Sequence, residues 1–328
     1  MIMHRILNTV SLIAILLFTS QLVIAQKPAM YFSDSSRLAR PMAKDPNIIF
    51  FKDKYFMYYS IPPSEKIKQG WGIGIATSND LINWNKAGEI LPAAEYEKNG
   101  LCAPGAIVKD GKLHLFYQTY GNGRKDAICH AVSEDGINFT RNATNPIFSP
   151  TGNWTCGRAI DAEVIEFKGK YLMFFASRDT SYQYQVQGVA SAPLNTSFNR
   201  NDWTQLSVDS AILFPRLPWE KKCVEGASCV VINDWIYMFY AGGYNNEPQQ
   251  IGVAKSKDGL TWTRASEIPF LKNGEAGSWN ESESGHPDIV KDEQGNFHLF
   301  FQGNNDKGKT WFLSKVPVNF TNGKWSLQ

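Results

Sequence analysis

The chain of 328 residues carries almost no charge imbalance: 33 Lys and Arg stand against 31 Asp and Glu, a net charge of +2. A polyanion binder shows a basic excess, so nucleic acid is excluded as the main partner. Cysteine is scarce, with five residues at Cys102, Cys129, Cys156, Cys223 and Cys229. No CxxC pair or His-rich spacing accompanies them, which removes the usual zinc patterns. So sparse and odd a set is no disulfide framework either. One bridge or none is expected, with the remaining thiols buried as small apolar groups. Charged residues make up only 20% of the chain and aromatics 13%, which excludes a disordered polymer. After residue 25 no run is long and apolar enough to cross a bilayer as a helix.

The first 25 residues form a separate object. His4 and Arg5 precede a mostly apolar stretch, Ile6 to Leu17, and Val23-Ile24-Ala25 ends in a small residue. This pattern reads as a secretory signal peptide cleaved near Ala25. Asn8, Thr9, Ser11, Thr19, Ser20 and Gln21 make it a poor membrane span, and no Cys follows to carry a lipid. The mature chain is therefore expected to be secreted or periplasmic, soluble and monomeric. Residues 26–40 read as an N-terminal extension and 41–328 as one domain.

What the chain has in abundance is repetition. A polar or small anchor leads into a β-rich stretch, a turn and an aromatic strand. The unit runs from Asp45 to Tyr59, returns from Ala103 to Tyr117 and again from Asp161 to Phe175. Two further copies start at Glu225 and His286 and end in Ile236–Tyr240 and Phe297–Phe301. Anchors thus recur every 58 to 64 residues. Evenly spaced strand pairs with no helical period between them predict an all-β, five-bladed propeller of four-stranded units.

A second element closes the units. Ser78-Asn79-Asp80, Ser133-Glu134-Asp135-Gly136 and Ser256-Lys257-Asp258-Gly259 each precede an aromatic residue. Asp bonds its own backbone in such turns and Gly tolerates positive φ. Asp80, Asp135 and Asp258 are accordingly structural, not catalytic.

The anchors are different. Asp45, Ala103, Asp161, Glu225 and His286 keep the framework while changing identity, and three are acids. In a propeller they gather where the inner strands begin, around one channel mouth. Carboxylates clustered in a partly desolvated pocket push their pKa values apart, so one stays protonated while another is ionised. That is equipment for cleaving a glycosidic bond.

The ordered set resembles glycoside hydrolase family 43, five-bladed propeller enzymes acting on arabinofuranosides, xylosides and some galactosides. The matching pieces are Lys44-Asp45-Pro46 with Tyr58-Tyr59-Ser60, Ala103-Pro104, Ile160-Asp161-Ala162, Val224-Glu225-Gly226 and Gly285-His286. They span residues 40–328, and their order and spacing, rather than any one motif, carry the likeness. The resemblance implies Asp45 as the general base, Glu225 as the general acid and Asp161 as the residue that orients and tunes that acid. It implies that His286 faces the channel and holds a metal ion, Ca2+ or Na+, or a water, although the chemistry itself requires no cofactor. It also implies inversion of configuration and an oligosaccharide or polysaccharide substrate. Cys102 stands where the family often has Trp, and Ala227 where it has Pro; these departures bear on the substrate more than on the reaction.

Trp71, Trp154, Trp219 and Trp279 lie near anchors and are candidate sugar platforms, with blade packing the alternative for each. Arg158, three residues before Asp161, is a candidate for binding hydroxyls or tuning a carboxylate. Arg178 reads as structural, and Glu281, Glu283 and Asp288 around His286 as solvated loop charge, with a role near a metal as the alternative. Three rivals stay open. Asp45-Pro46-Asn47 is also similar to the fructan-cleaving family, a retaining one, but its Arg-Asp-Pro and Glu-Cys signatures and a β-sandwich after blade five are absent. Anhydrogalactosidase family 117 uses a His as acid, a role open to His286. A non-catalytic carbohydrate-binding propeller would keep the aromatics but need not keep all three acids.

Overall fold

The computed structural model describes residues 28–64 and 70–328, so the leader reading of residues 1–25 lies outside the described residues. Twenty strands form five antiparallel sheets of four. Blade one holds β1 (Lys44–Phe51), β2 (Lys54–Ile61), β3 (Gly72–Ser78) and β4 (Asn85–Ile90). Blade two holds β5 (Leu101–Lys109), β6 (Lys112–Thr119), β7 (Ile128–Ser133) and β8 (Thr140–Arg141). Blade three holds β9 (Ile160–Phe167), β10 (Lys170–Arg178), β11 (Gln185–Pro193) and β12 (Thr204–Gln205). Blade four holds β13 (Val224–Ile232), β14 (Trp235–Gly242), β15 (Gln250–Ser256) and β16 (Thr263–Arg264). Blade five holds β17 (Glu283–Lys291), β18 (Phe297–Asn304), β19 (Phe312–Thr321) and β20 (Lys324–Leu327). The chain is a five-bladed β-propeller.

The second strand of each blade is packed on both faces, so it reads as an apolar run instead of alternating. Tyr55–Tyr59 in β2 and Tyr171–Phe175 in β10 are buried throughout. Five apolar clusters result, one between each pair of neighbouring blades. The cluster joining blade five to blade one also takes in Met30 and Phe32. Phe32 pairs with Leu313, Met42 with Trp311, and Ser314 Oγ donates to Met30 O at 2.7 Å. The segment before β1 therefore clasps the joint where the ring closes.

The predicted turns are as read. Asp135 Oδ1 accepts from Ile137 N and Asn138 N, both at 2.8 Å, and from Ser133 Oγ at 2.9 Å. The five cysteines are unpaired, and all but Cys156 are buried. No described helix is long and apolar enough to cross a membrane.

Candidate active site

Each innermost strand slips by a residue near its start. The residue at the slip takes a left-handed backbone: Asp45 at φ 50°, Ala103 at 48°, Asp161 at 54°, Gly226 at 57° and His286 at 41°. Such conformations are strained for side-chain-bearing residues and often mark functional sites. Ala103 adopts one with no chemistry to perform, so here the strain belongs to the propeller joint. The ring also corrects the sequence reading in blade four. The equivalent of Asp45 is Gly226, and Glu225 sits one residue earlier, in register with Lys44, Cys102, Ile160 and Gly285. The signal was legible: Pro or Ala follows every true anchor, as Pro46, Pro104, Ala162, Ala227 and Pro287.

Neighbouring blades fix these bulges. Gln302 Oε1 accepts from Asp45 N at 2.9 Å, Ser60 Oγ from Ala103 N at 2.8 Å, and Gln118 Oε1 from Asp161 N at 2.7 Å. Buried amides would otherwise lose a partner, at a cost of about 1–3 kcal/mol each. Asp45, Asp161 and His286 then line a small cavity on the axis. A second ring, including Asn47, Glu163, Ser228 and Asp288, lies just below them around the same cavity.

His286 is the hub. Its Nδ1 lies 3.4 Å from Asp45 Oδ1 and its Nε2 3.5 Å from Glu225 Oε1. Burial alone would lower its pKa, but Asp45, Glu225 and Asp161 outweigh that and push it up to about 10. An imidazolium thus stands among three buried carboxylates. Burial would raise Asp45, but His286, Lys44 and Ser60 hold it below the usual carboxylate range. Glu225 is likewise held low against burial by His286, by Gln249 and by Lys44. Gln249 Nε2 donates to its Oε1 at 2.7 Å, and Gln185 Nε2 donates to its Oε2. Asp161 goes the other way: burial, reinforced by Glu225 and Asp45, pushes it up to about 7. Its Oδ2 is buried with no hydrogen-bond partner. Burial and the two neighbouring carboxylates thus disfavour the charged form of Asp161, whereas His286, Gln249 and Lys44 favour that of Glu225.

Several residues escaped the sequence reading. Lys44 is in the site, its pKa raised because Asp45, Glu283 and Glu225 outweigh its burial. Gln185 and Gln249, which grip Glu225, lie on or next to third strands that carry no anchor motif. Glu283 and Asp288 are not loop charge: both are buried in β17, and burial pushes each up to about 7.

The proposed platforms divide. Trp71 stands edge-on to Tyr120, ring centroids 5.9 Å apart, and Tyr120 feels the charges of Lys44 and Asp45. Trp154 instead stacks on Phe175, Trp219 on Tyr240, and Trp279 tilts against Phe301. Each of these three covers a glycine, Gly188, Gly252 or Gly303, where a Cβ would collide with the indole. These three indoles pack inside the blades, the alternative reading for each, and do not act as sugar platforms. Arg158 is buried near Asp161, and its Nε pairs with Asp126 Oδ2 at 3.2 Å.

The sequence matches the family described as Glycosyl hydrolases family 43 over residues 40–319. The chain belongs to that family. It is similar to the sucrose-6-phosphate hydrolase of Bacillus subtilis (strain 168), 26% identical over 163 residues, which are 44% of this chain and 34% of that protein. The chain thus matches only about a third of that relative's length. Its fold is that of an endo-1,4-beta-xylanase from Bacteroides thetaiotaomicron (TM-score 0.69, 21% identity, covering 87% of this chain and 94% of that one). An alpha-L-arabinofuranosidase from Lactobacillus brevis gives 0.67 at 15% identity, covering 87% and 94%.

Proposed function

We propose that this family 43 glycoside hydrolase is an exported enzyme that cleaves arabinofuranosides, xylosides or galactofuranosides with inversion of configuration. One observation carries the reading: Asp45 and Glu225 face the two nitrogens of a single imidazole, with Asp161 alongside. A ring and two contacts between the carboxylates suit the ~6.5–9.5 Å of an inverting pair, which leaves room for water. Asp45, held ionised, activates that water. Asp161 and Glu225 share one proton, and their titration belongs to the pair. Asp161 stores the proton and tunes Glu225, which delivers it to the leaving oxygen. Lys44 and His286 supply the positive charge that lets three acids coexist.

Asp161, Glu225 and His286 each offer a ligand atom within 4.8 Å of the others, and the unpartnered Asp161 Oδ2 suits a cation there. Ca2+ or Na+ held by these three residues would supply the charge that the imidazolium otherwise provides.

A panel of chromogenic α-arabinofuranoside, β-xyloside and β-galactofuranoside tests the reading, with product anomers followed by NMR. Release from one of them with an inverted product supports it. A retained anomer sinks the mechanism. A second reading, fructofuranoside hydrolysis with Asp45 as nucleophile, draws on Asp45-Pro46-Asn47 and the sucrose-6-phosphate hydrolase likeness. Fructose released from sucrose, with none of the panel cleaved, would establish it instead.

A further inference from the structure

Arg178, read from the sequence as structural at the end of a blade-three strand, stands at that strand end and has contacts toward the site. It ends β10, two residues beyond Ala176, which pairs with Ile160 just before the Asp161 anchor. Arg178 therefore stands on the channel rim directly outside the anchor ring. Its guanidinium lies over Tyr182 at 4.5 Å and over Tyr244 at 5.2 Å. Its Nε donates to Gln185 Oε1 at 3.1 Å, and the amide of the same Gln185 donates to Glu225. A single side-chain amide thus separates this cation from the residue assigned as the acid.

No carboxylate among the described residues pairs with this charge. Arg37, Arg141, Arg158 and Arg264 are buried or half-buried, and each pairs with a carboxylate. Arg178 is the half-buried arginine among the described residues that forms no ion pair, and its Nη1 and Nη2 make no hydrogen bond. Two more cations flank it without carboxylate partners among the described residues. The Arg124 guanidinium sits 5.0 Å over Tyr182, and Lys222 Nζ sits 5.9 Å over Tyr184. The nearby acids are engaged locally. Asp179 closes its own turn by accepting from Gln183 N at 2.8 Å and Tyr184 N at 2.9 Å, and Asp126 holds Arg158. Two aromatic faces hold the Arg178 fork in place, so little freedom is lost when an oxyanion docks.

We propose that Arg178 binds an acidic group on the sugar at the leaving side of the scissile bond. The group is a carboxylate, sulfate or phosphate, met by the free fork as a charge-assisted, two-pronged contact. Arg124 and Lys222 strengthen the local field, and Tyr182 and Tyr244 flank the bound ring. The placement on the leaving side rests on the reading of Glu225 as the acid.

Calorimetric titration of the full chain with galactose, galacturonate, galactose 6-sulfate and galactose 6-phosphate tests this, because one ring carries each anion in turn. At least one acidic sugar should bind about tenfold or more tightly than galactose, and added NaCl should erode the advantage. The sugar that gains most identifies the anion. Arg178→Gln should abolish the preference, and Arg178→Lys, a point charge without the fork, should keep only part of it. Thermal melts of both variants report whether the blade is intact. If no acidic sugar outbinds galactose, or if Arg178→Gln retains the preference, the proposal falls. The titration requires no turnover. A protein that prefers acidic sugars yet cleaves no glycoside would keep this site and lose the hydrolase reading; the opposite result would do the reverse.

Discussion

Two sets of aspartates recur along this chain, and their fates diverge. In the outer turns, Asp80, Asp135 and Asp258 repeat with the same partners. Each accepts from the N–H groups two and three residues on and from a Ser hydroxyl two residues back. Those bonds hold all three below the usual carboxylate range, Asp80 and Asp135 far below it and Asp258 against the opposing effect of burial. On the inner ring the backbone repeats and the side chains do not: Asp45, Ala103, Asp161, Gly226 and His286 share one left-handed bulge. Repetition of identity marks a part that builds every blade. Repetition of backbone alone leaves five pointed positions free to differ, and they differ where charge is concentrated.

The comparison is broken most directly by changing one acid from each set. Asp45→Asn should lower chromogen release by about 10³-fold or more while the melting temperature stays within a few degrees. An Asp45→Asn protein that turns over like wild type would place the chemistry elsewhere.

A third set of acids sharpens the rule. Glu97 and Glu220 are buried, each accepting from a second-strand tyrosine at 2.6 Å, from Tyr117 and Tyr240 respectively. Arg141 and Arg264 close the two triads. Asp34 plays the part in blade one, accepting from Tyr59 at 2.9 Å and pairing with Lys86. Phe175 and Phe301 take the tyrosine's place in blades three and five. By the same logic these acids are architecture. Glu220→Ala strands a half-buried Arg264 and a buried Tyr240 hydroxyl, so urea unfolding should show a loss of about 3 kcal/mol. A loss below ~1 kcal/mol would mean the triad is ornamental.

Most of this was legible in the sequence because a propeller writes its period into strand pairs and turns. Blade number, the outer turns and four of the five anchor positions follow from the repeat. What escaped was what spacing does not encode. Gln185, the first residue of a third strand, and Gln249, just before another, reach Glu225, and Lys44 comes from the position before an anchor. Their roles arise from proximity across blades. Glu225 looked like an anchor because acids were counted, whereas the bulge selects the residue before Pro or Ala. Trp154, Trp219 and Trp279 looked like platforms because they lie near anchors in the chain. The glycines beneath them show that they fill space inside the blades.

A smaller effect is expected in the outer turns. Asp135→Ala removes the acceptor for two backbone N–H groups, and unfolding should lose about 1 kcal/mol with kcat unchanged. Activity loss without destabilisation would put this aspartate in the wrong class.

The most delicate test is a residue that breaks the pattern away from the ring. His130 stands where blades one, three and four carry Ile75, Val189 and Val253, yet it faces blade packing and not the channel. Asn142 Oδ1 accepts from Thr144 N at 2.8 Å, which fixes the amide so that its Nδ2 donates to His130 Nδ1 at 3.1 Å. His130 Nε2 therefore carries the hydrogen and donates to His114 Nδ1 at 3.0 Å. Both rings must be neutral for this chain to hold. Burial pushes His130 down to about 3 and His114 down to about 4. Unfolded histidine titrates near ~6.5, so between pH ~6.5 and 4 the unfolded chain binds protons that the folded pair refuses. The pair's contribution is intact above pH ~6.5 and fades as pH falls toward 4. Buried acids such as Asp288 and Glu283, raised to about 7, drive stability the opposite way, so only a difference between proteins isolates the histidines. Urea midpoints of wild type and His114→Phe/His130→Phe should diverge between pH 7.5 and 4.5, with wild type losing more. Parallel curves would show that the rings are protonated in the fold, and the departure from the apolar consensus would then need a reason other than packing.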